Sequence, residues 1–145
     1  MASLPGGVVV SARMREEFIR LATRISLEEK GTVLFRRGDD VRGLYLICSG
    51  RVGVELEGDG TLYPPKILGS GSVLGLPATV AGSPYSLTAE VIEQAEIAFV
   101  PRDSVVSCLA SNQELCFEVM QLLSTEISST RAALKQAASR RPPRA

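Results

Sequence analysis

The stretch GSVLGLPATVAGSPYS, residues 71–86, has the make-up of a phosphate cradle. Its glycines permit a tight backbone turn, and the residues that follow read as the first turn of a helix, whose free amides attract anions. Yet the stretch holds no Arg, Lys, Asp or Glu. Chemistry that needs a cation against a phosphate has no side chain here to carry it. Other chemistries are closed off as well. The chain has no histidine, which removes His bases, His-containing triads and His metal ligands. Its three cysteines, Cys48, Cys108 and Cys116, stand in apolar segments without C-x-x-C spacing. That pattern indicates small buried thiols in a reducing compartment, not a zinc site or an iron–sulfur cluster. No catalytic set, metal or cofactor is expected, and the chain reads as a non-enzyme.

The frame that must hold the cradle is one domain's worth of chain, 145 residues. Acidic and basic residues balance at 16 each, so no global field draws the chain to nucleic acid or to a membrane surface. The one lopsided piece is the basic end at residues 139–145, with Arg140, Arg141 and Arg144. No signal peptide is visible, and no stretch approaches the roughly 20 apolar residues of a membrane span, so a cytoplasmic location is expected.

Residues 1–10 are interrupted by Gly and Pro and read as a flexible tail. From Ser11, a plausible N-cap, Met14, Phe18, Leu21, Ala22 and Ile25 recur at helical spacing. From about 31 to 100 the pattern changes to short strands parted by turn residues. TVLFR, GLYLICSG, RVGVELE, TLYPPKIL, YSLTAEVIE and AEIAFV are the strand candidates, and GDG at 58–60 is a hairpin signal. Pro64 and Pro65 must lie at an edge or a bend. After Pro101 a short helix is expected over 102–110 with Val105, Val106 and Leu109 inward. Ser111-Asn112-Gln113-Glu114 then fits a capping box that opens a long helix over about 112–138. The fold class is mainly β with flanking helices: a double-stranded β-helix, or jelly-roll-like β-roll, between an N-terminal helix, a short helix and a long C-terminal dimerisation helix.

Along that long helix Cys116, Met120, Leu123, Ile127, Thr130, Leu134 and Ala137 are spaced 4, 3, 4, 3, 4, 3. This is the a/d seam of a coiled coil. Leu115, Val119 and Leu122 form a second stripe beside it. One stripe is expected to cover the roll and the other a symmetry mate, giving a homodimer. Cys116 on the seam reads as a small buried thiol, with a redox link across the twofold as the alternative.

The layout over residues 14 to 137 resembles the cyclic-nucleotide-binding domain of the Crp/Fnr regulators. RRGDDVRGLYLICSGRVGV carries most of the likeness: Gly38, Asp39, Leu44–Ile47, Gly50 and Val52 stand where that family has its turn-strand-turn signature. The physical reasons are independent of the family. Gly38 and Gly50 sit where positive φ is expected, and Leu44–Ile47 are apolar on both faces, as a central strand requires. The resemblance implies a cassette reading G-E…R-(S/T)-A, whose Glu takes the ribose hydroxyl and whose Arg pairs with the cyclic phosphate. Here Gly75 matches, Leu76 stands in the Glu place, and Tyr85 followed by Ser86 stands in the Arg place. No Lys or Arg lies between Gly71 and Pro101.

Removing one partner of a buried ion pair costs about 2–5 kcal/mol, and losing a hydrogen bond to a charged group about 1.5–3 kcal/mol. A helix end returns only about 0.3–1 kcal/mol, or ~2 when partly buried. Tight binding of cyclic AMP or cyclic GMP is therefore not expected. The candidate pocket comprises Gly75, Leu76, Pro77, Ala78, Tyr85 and Ser86, with Thr130 where the resemblance brings the long helix to the base. Either Leu76 and the Tyr85 ring have refilled it, or it takes a less charged small effector oriented by the Tyr85 hydroxyl and Ser86. The expected function is a regulatory sensor and dimerisation domain of Crp/Fnr type. A stand-alone interaction scaffold with a filled pocket is the alternative. Only a few residues follow the long helix, too few for a helix-turn-helix, so DNA binding by this chain alone is not expected.

Overall fold

A computed structural model of the chain describes residues 7–55 and 66–124. The elements run β1 (Gly7–Val9), α1 (Ala12–Leu21), β2 (Arg24–Glu28), β3 (Val33–Phe35) and β4 (Gly43–Glu55). Then follow β5 (Lys66–Leu68), β6 (Ser72–Leu74), α2 (Leu76–Ala81), β7 (Thr88–Pro101) and α3 (Arg102–Ser111). A last helix, α4, occupies 113–124. The strands form one antiparallel sheet ordered β1-β6-β4-β7-β2, with β3 also on β7 and β5 also on β4. This is the β-roll with flanking helices that the turn spacing predicts. The GDG turn, Leu56 and the two prolines 64 and 65 lie outside the described residues, as does the helix beyond 124.

Two strands dominate. GLYLICSG and RVGVELE, read above as separate strands, are one strand, β4, paired with β7 from Gly43↔Pro101 to Glu55↔Thr88. YSLTAEVIE and AEIAFV likewise merge into β7. Gly50 has its expected positive φ, +87°, but it marks a bulge and not a turn: the register slips between Ile47 and Val52. A Cβ at Gly50 would strike the β7 backbone at Gln94 and Ala95. Across this irregularity β4 advances five residues, Ile47 to Val52, against six on β7, Ile97 to Val91, and the facing of β4 reverses while that of β7 does not. Before it, Tyr45 and Ile47 point into the roll; after it, Val52 and Val54 do.

The core has two layers, split by the side-chain alternation of a strand. Leu44, Leu46, Val100 and Leu76 pack with Met14 and Phe18 of α1 and with Val105 of α3. Phe35, Tyr45, Ile47, Val52, Tyr85 and Leu87 fill the roll interior. Emptying a site such as that of Phe18, 1% exposed, costs about 3–5 kcal/mol.

Several local expectations need correction. Gly7–Val9 is no tail: it pairs antiparallel with β6, and Val10 is buried. The first helix stops at Leu21, because Thr23 N–H donates to the Phe99 carbonyl and commits the chain to β7; Ile25 is thus an exposed β2 residue. On α3 Val105 is buried and Leu109 packs partly against the core, as expected, but Cys108 is buried beside them and Val106 is exposed. The cap before α4 is Asn112, whose Oδ1 accepts from Leu115 N–H at 3.1 Å. Ser111 instead closes α3, donating to the carbonyls of Ser107 and Cys108.

Ser11 does cap α1, accepting from Met14 N–H at 3.2 Å. The carboxylate that a capping box would place on the same helix comes here from α4. Glu118 accepts from both the Ser11 N–H and its hydroxyl, at 3.2 and 2.8 Å. Arg13 pairs with Glu114 beside it. Leu115 and Val119, both 2% exposed, and the half-buried Leu122 lay α4 against the α1 layer, as the second stripe predicts.

Candidate functional site

The cassette is a six-residue helix entered by Gly75 in left-handed conformation, φ +78°, and left by Gly82 in the same region. Thr79 anchors it from within, its hydroxyl donating back to the Gly75 carbonyl at 2.7 Å. An arginine does reach this helix, but at the wrong end for an anion site: Arg102 Nε donates to the Thr79 carbonyl at 2.9 Å, over the C-terminal turn. That is where a helix dipole favours a cation.

Tyr85 occupies the interior. The ring is 4% exposed and stacks on Phe35 with centroids 4.1 Å apart. Its backbone pairs with the turn before β4, Tyr85 N–H donating to the Asp39 carbonyl and Gly38 N–H to the Tyr85 carbonyl. The hydroxyl donates to the Gly43 carbonyl at 2.6 Å and lies 3.2 and 3.3 Å from the amides of Arg42 and Gly43. A Cβ on Gly75 would stand 2.9 Å from the Tyr85 ring, so the bare backbone at 75 and the ring at 85 fit one another.

Leu76 does not share that space. It belongs to the layer with Met14 and Phe18, while Ala78 belongs with Tyr85. Two residues on a helix are about 200° apart, so neighbours at that spacing face opposite layers. The expectation that Leu76 and Tyr85 fill one niche together is thus corrected: Tyr85 is in the roll and Leu76 is not. Ser86 is exposed and Pro77 half-buried. Thr130 lies outside the described residues, as do Ile127, Leu134 and Ala137.

On the described part of the seam, Met120 is 62% exposed, Cys116 half-buried, and Leu123 packs partly against the core. Phe117, also 62% exposed, joins Met120 on the outer face. Sequence reasoning passed over Phe117 because it is off the strict heptad. It also passed over Phe35 in TVLFR, where the register on β7 slips between Val33 and Phe35 and period-two alternation does not place the ring.

Two cavities lie away from the cassette. One, about 480 Å³, separates α1 from α3, with the Glu17–Arg20 ion pair on one wall and serines 104, 107 and 111 on the other. The Arg20 hydrogen bond draws the Glu17 carboxyl below its ordinary value, and burial pushes the Cys108 thiol up. The second, about 110 Å³, opens between β2 and β3 over Tyr45 and Phe99. Among the described residues no group of Cys, Asp and Glu is placed to hold a metal, and no helix is long and apolar enough to cross a membrane.

The profile of the cyclic nucleotide-binding domain matches residues 28–112, more than half of the chain. The chain belongs to the cyclic nucleotide-binding domain family. Within that family the Crp/Fnr likeness of the sequence holds. The chain is 29% identical over 129 residues to the Anaerobic regulatory protein of Bacillus subtilis, covering 88% of this chain. It spans 54% of that relative, about half its length. Among solved structures the fold is that of the Thermus thermophilus Catabolite Activator Protein, at TM-score 0.74 and 18% identity over 89% of this chain and 61% of that one. The cAMP-bound form of the EAL enzyme Bd1971 is 26% identical over 78% of this chain and 30% of its own, at TM-score 0.60. The matched range takes in the whole cassette, from Gly75 to Ser86.

Proposed function

We propose that this cyclic nucleotide-binding domain serves as a non-catalytic, cytoplasmic regulatory and dimerisation unit of Crp/Fnr type whose cassette does not grip cyclic AMP or cyclic GMP. The observation that carries this reading is Tyr85. Its ring stands in the roll interior against Phe35, and its hydroxyl is committed to the Gly43 backbone. A nucleotide would have to expel a buried aromatic ring and break those bonds, and would find no cassette cation in return. Pairing through the outer face of α4, where Phe117 and Met120 are exposed, gives the homodimer. The spacing of Cys116, Met120 and the residues after them supports that pairing.

Calorimetric titration with cyclic AMP and cyclic GMP is expected to give no measurable heat at micromolar concentrations. A low-micromolar dissociation constant for either nucleotide overturns the reading of the cassette. Sedimentation equilibrium is expected to give twice the chain mass; a monomer at tens of micromolar overturns the reading of α4.

A further inference from the structure

Tyr85 is one end of an aromatic ladder. Phe35 lies on it at 4.1 Å, Tyr45 is 5.6 Å from Phe35, and Phe99 is 5.1 Å from Tyr45. The other end of the ladder borders the cavity of about 110 Å³ between β2 and β3. Its floor is apolar and aromatic, with Val33, Leu34, Ile97, Tyr45 and Phe99. Its rim is polar, with Arg24, Ser26, Glu28 and Thr32. An apolar floor under a few convergent polar groups is the usual make-up of a small-molecule site.

The rim charges are not equivalent. The Glu28 carboxylate accepts from the Ser26 hydroxyl at 2.8 Å. Arg24 sits over the Phe99 ring, 5.5 Å from its centroid, and has no carboxylate partner among the described residues. Stacking on a ring leaves the guanidinium N–H donors in its plane available. The Tyr45 hydroxyl reaches the Leu34 carbonyl only at 3.4 Å, a long bond that a better acceptor replaces. Cavities of about 150 Å³ take benzene, so this one takes a smaller body.

We propose that this cavity is a binding site for a small monocarboxylate with a branched body of three or four carbons. The alkyl group would lie on Tyr45 and Phe99, and the carboxylate would meet Arg24 and the Tyr45 hydroxyl at the rim. The site is too small for a nucleotide and stands apart from the cassette, so it does not depend on whether the cassette is filled.

The test follows backbone amide shifts of the full chain during titration with isobutyrate, and in parallel with isobutyramide and isobutylamine, which share its shape. Saturable shifts at Arg24, Leu34 and Phe99 are expected, with a millimolar dissociation constant and the acid bound tightest. Arg24→Gln, on an exposed residue, is expected to weaken isobutyrate roughly tenfold or more and leave isobutyramide nearly unchanged. Leu34→Phe, checked for folding by its thermal melt, is expected to abolish both by filling the floor. Excess cyclic AMP is expected not to displace isobutyrate. Equal binding of acid and amide, tighter binding of the amine, unchanged affinity in Arg24→Gln, or shifts confined to other surfaces each overturn the assignment.

Discussion

The Tyr85 hydroxyl donates to the Gly43 carbonyl at 2.6 Å, which ties the loop after α2 to the first residue of β4. Gly43 itself pairs with Pro101 at the end of β7. Tyr85 is thereby joined to β4 directly and to the end of β7 through Gly43.

Tyr85→Phe keeps the stack on Phe35 and removes only the hydroxyl. The Gly43 carbonyl and the two amides near the hydroxyl then lose a buried partner. The expected loss is about 1–3 kcal/mol, read as a lower urea midpoint with an unchanged slope. Tyr85→Ala is expected to cost about 3–5 kcal/mol, since it empties the ring's site as well. Equal midpoints for wild type and Tyr85→Phe would show the bond to be worth nothing net.

Gly75→Ala separates backbone cost from steric cost. The left-handed conformation disfavours any Cβ by about 1–2 kcal/mol. At Gly75 the new methyl also meets the Tyr85 ring at 2.9 Å, whereas at Gly31, φ +94°, nothing lies within 4 Å. Gly75→Ala is therefore expected to melt well below Gly31→Ala. Matching melts for the two variants would mean that the ring yields freely.

The roll was legible because its signals are local. Alternation in RVGVE, the turn glycines, the helical spacing of Met14 and Phe18, and the Leu115–Val119 stripe each mark one face of one element. What escaped was non-local. Gly50 looks like a strand end, because nothing in the sequence says that Gln94 and Ala95 will press against it. Ser111 looks like a cap, because the box pattern cannot tell the last residue of one helix from the first of another. Leu76 and Tyr85 look like neighbours in one pocket, because a family pattern aligns positions and not directions. The Arg24 cavity arises from the gap between β2 and β3 along one edge of β7, which no sequence period encodes.

The alkaline pH dependence follows from two thiols and a phenol raised in the folded chain. Burial, then the Glu96 charge, raises Cys48; burial, then Glu17, raises Cys108; burial, then the neighbouring Tyr85, raises Tyr45. Raised values mean that the folded chain keeps protons the unfolded chain releases. That stability is complete below the ordinary thiol value of 9.0 and is lost as pH climbs through the folded values. With no histidine, no side chain has an ordinary value between pH 5 and 8. Urea midpoints are expected to be flat from about pH 6 to 8.5 and to fall above 9. A step near pH 6.5 would contradict this account.

The two faces of α4 make opposite predictions. Leu115, 2% exposed, is part of the core, so Leu115→Ala is expected to destabilise the fold by about 2–5 kcal/mol. Phe117 and Met120, each 62% exposed, contribute little to the isolated chain. The double variant Phe117→Ser/Met120→Ser is expected to leave the monomer's stability within about 0.5 kcal/mol while weakening self-association. Exposed aromatic and Met side chains are enriched where chains meet, and their truncation removes apolar burial from the pair and not from the roll. Sedimentation of the double variant at several concentrations reads association, and its denaturation at the lowest concentration reads the fold. If the double variant still runs at twice the chain mass, the exposed face of α4 is not where two copies join.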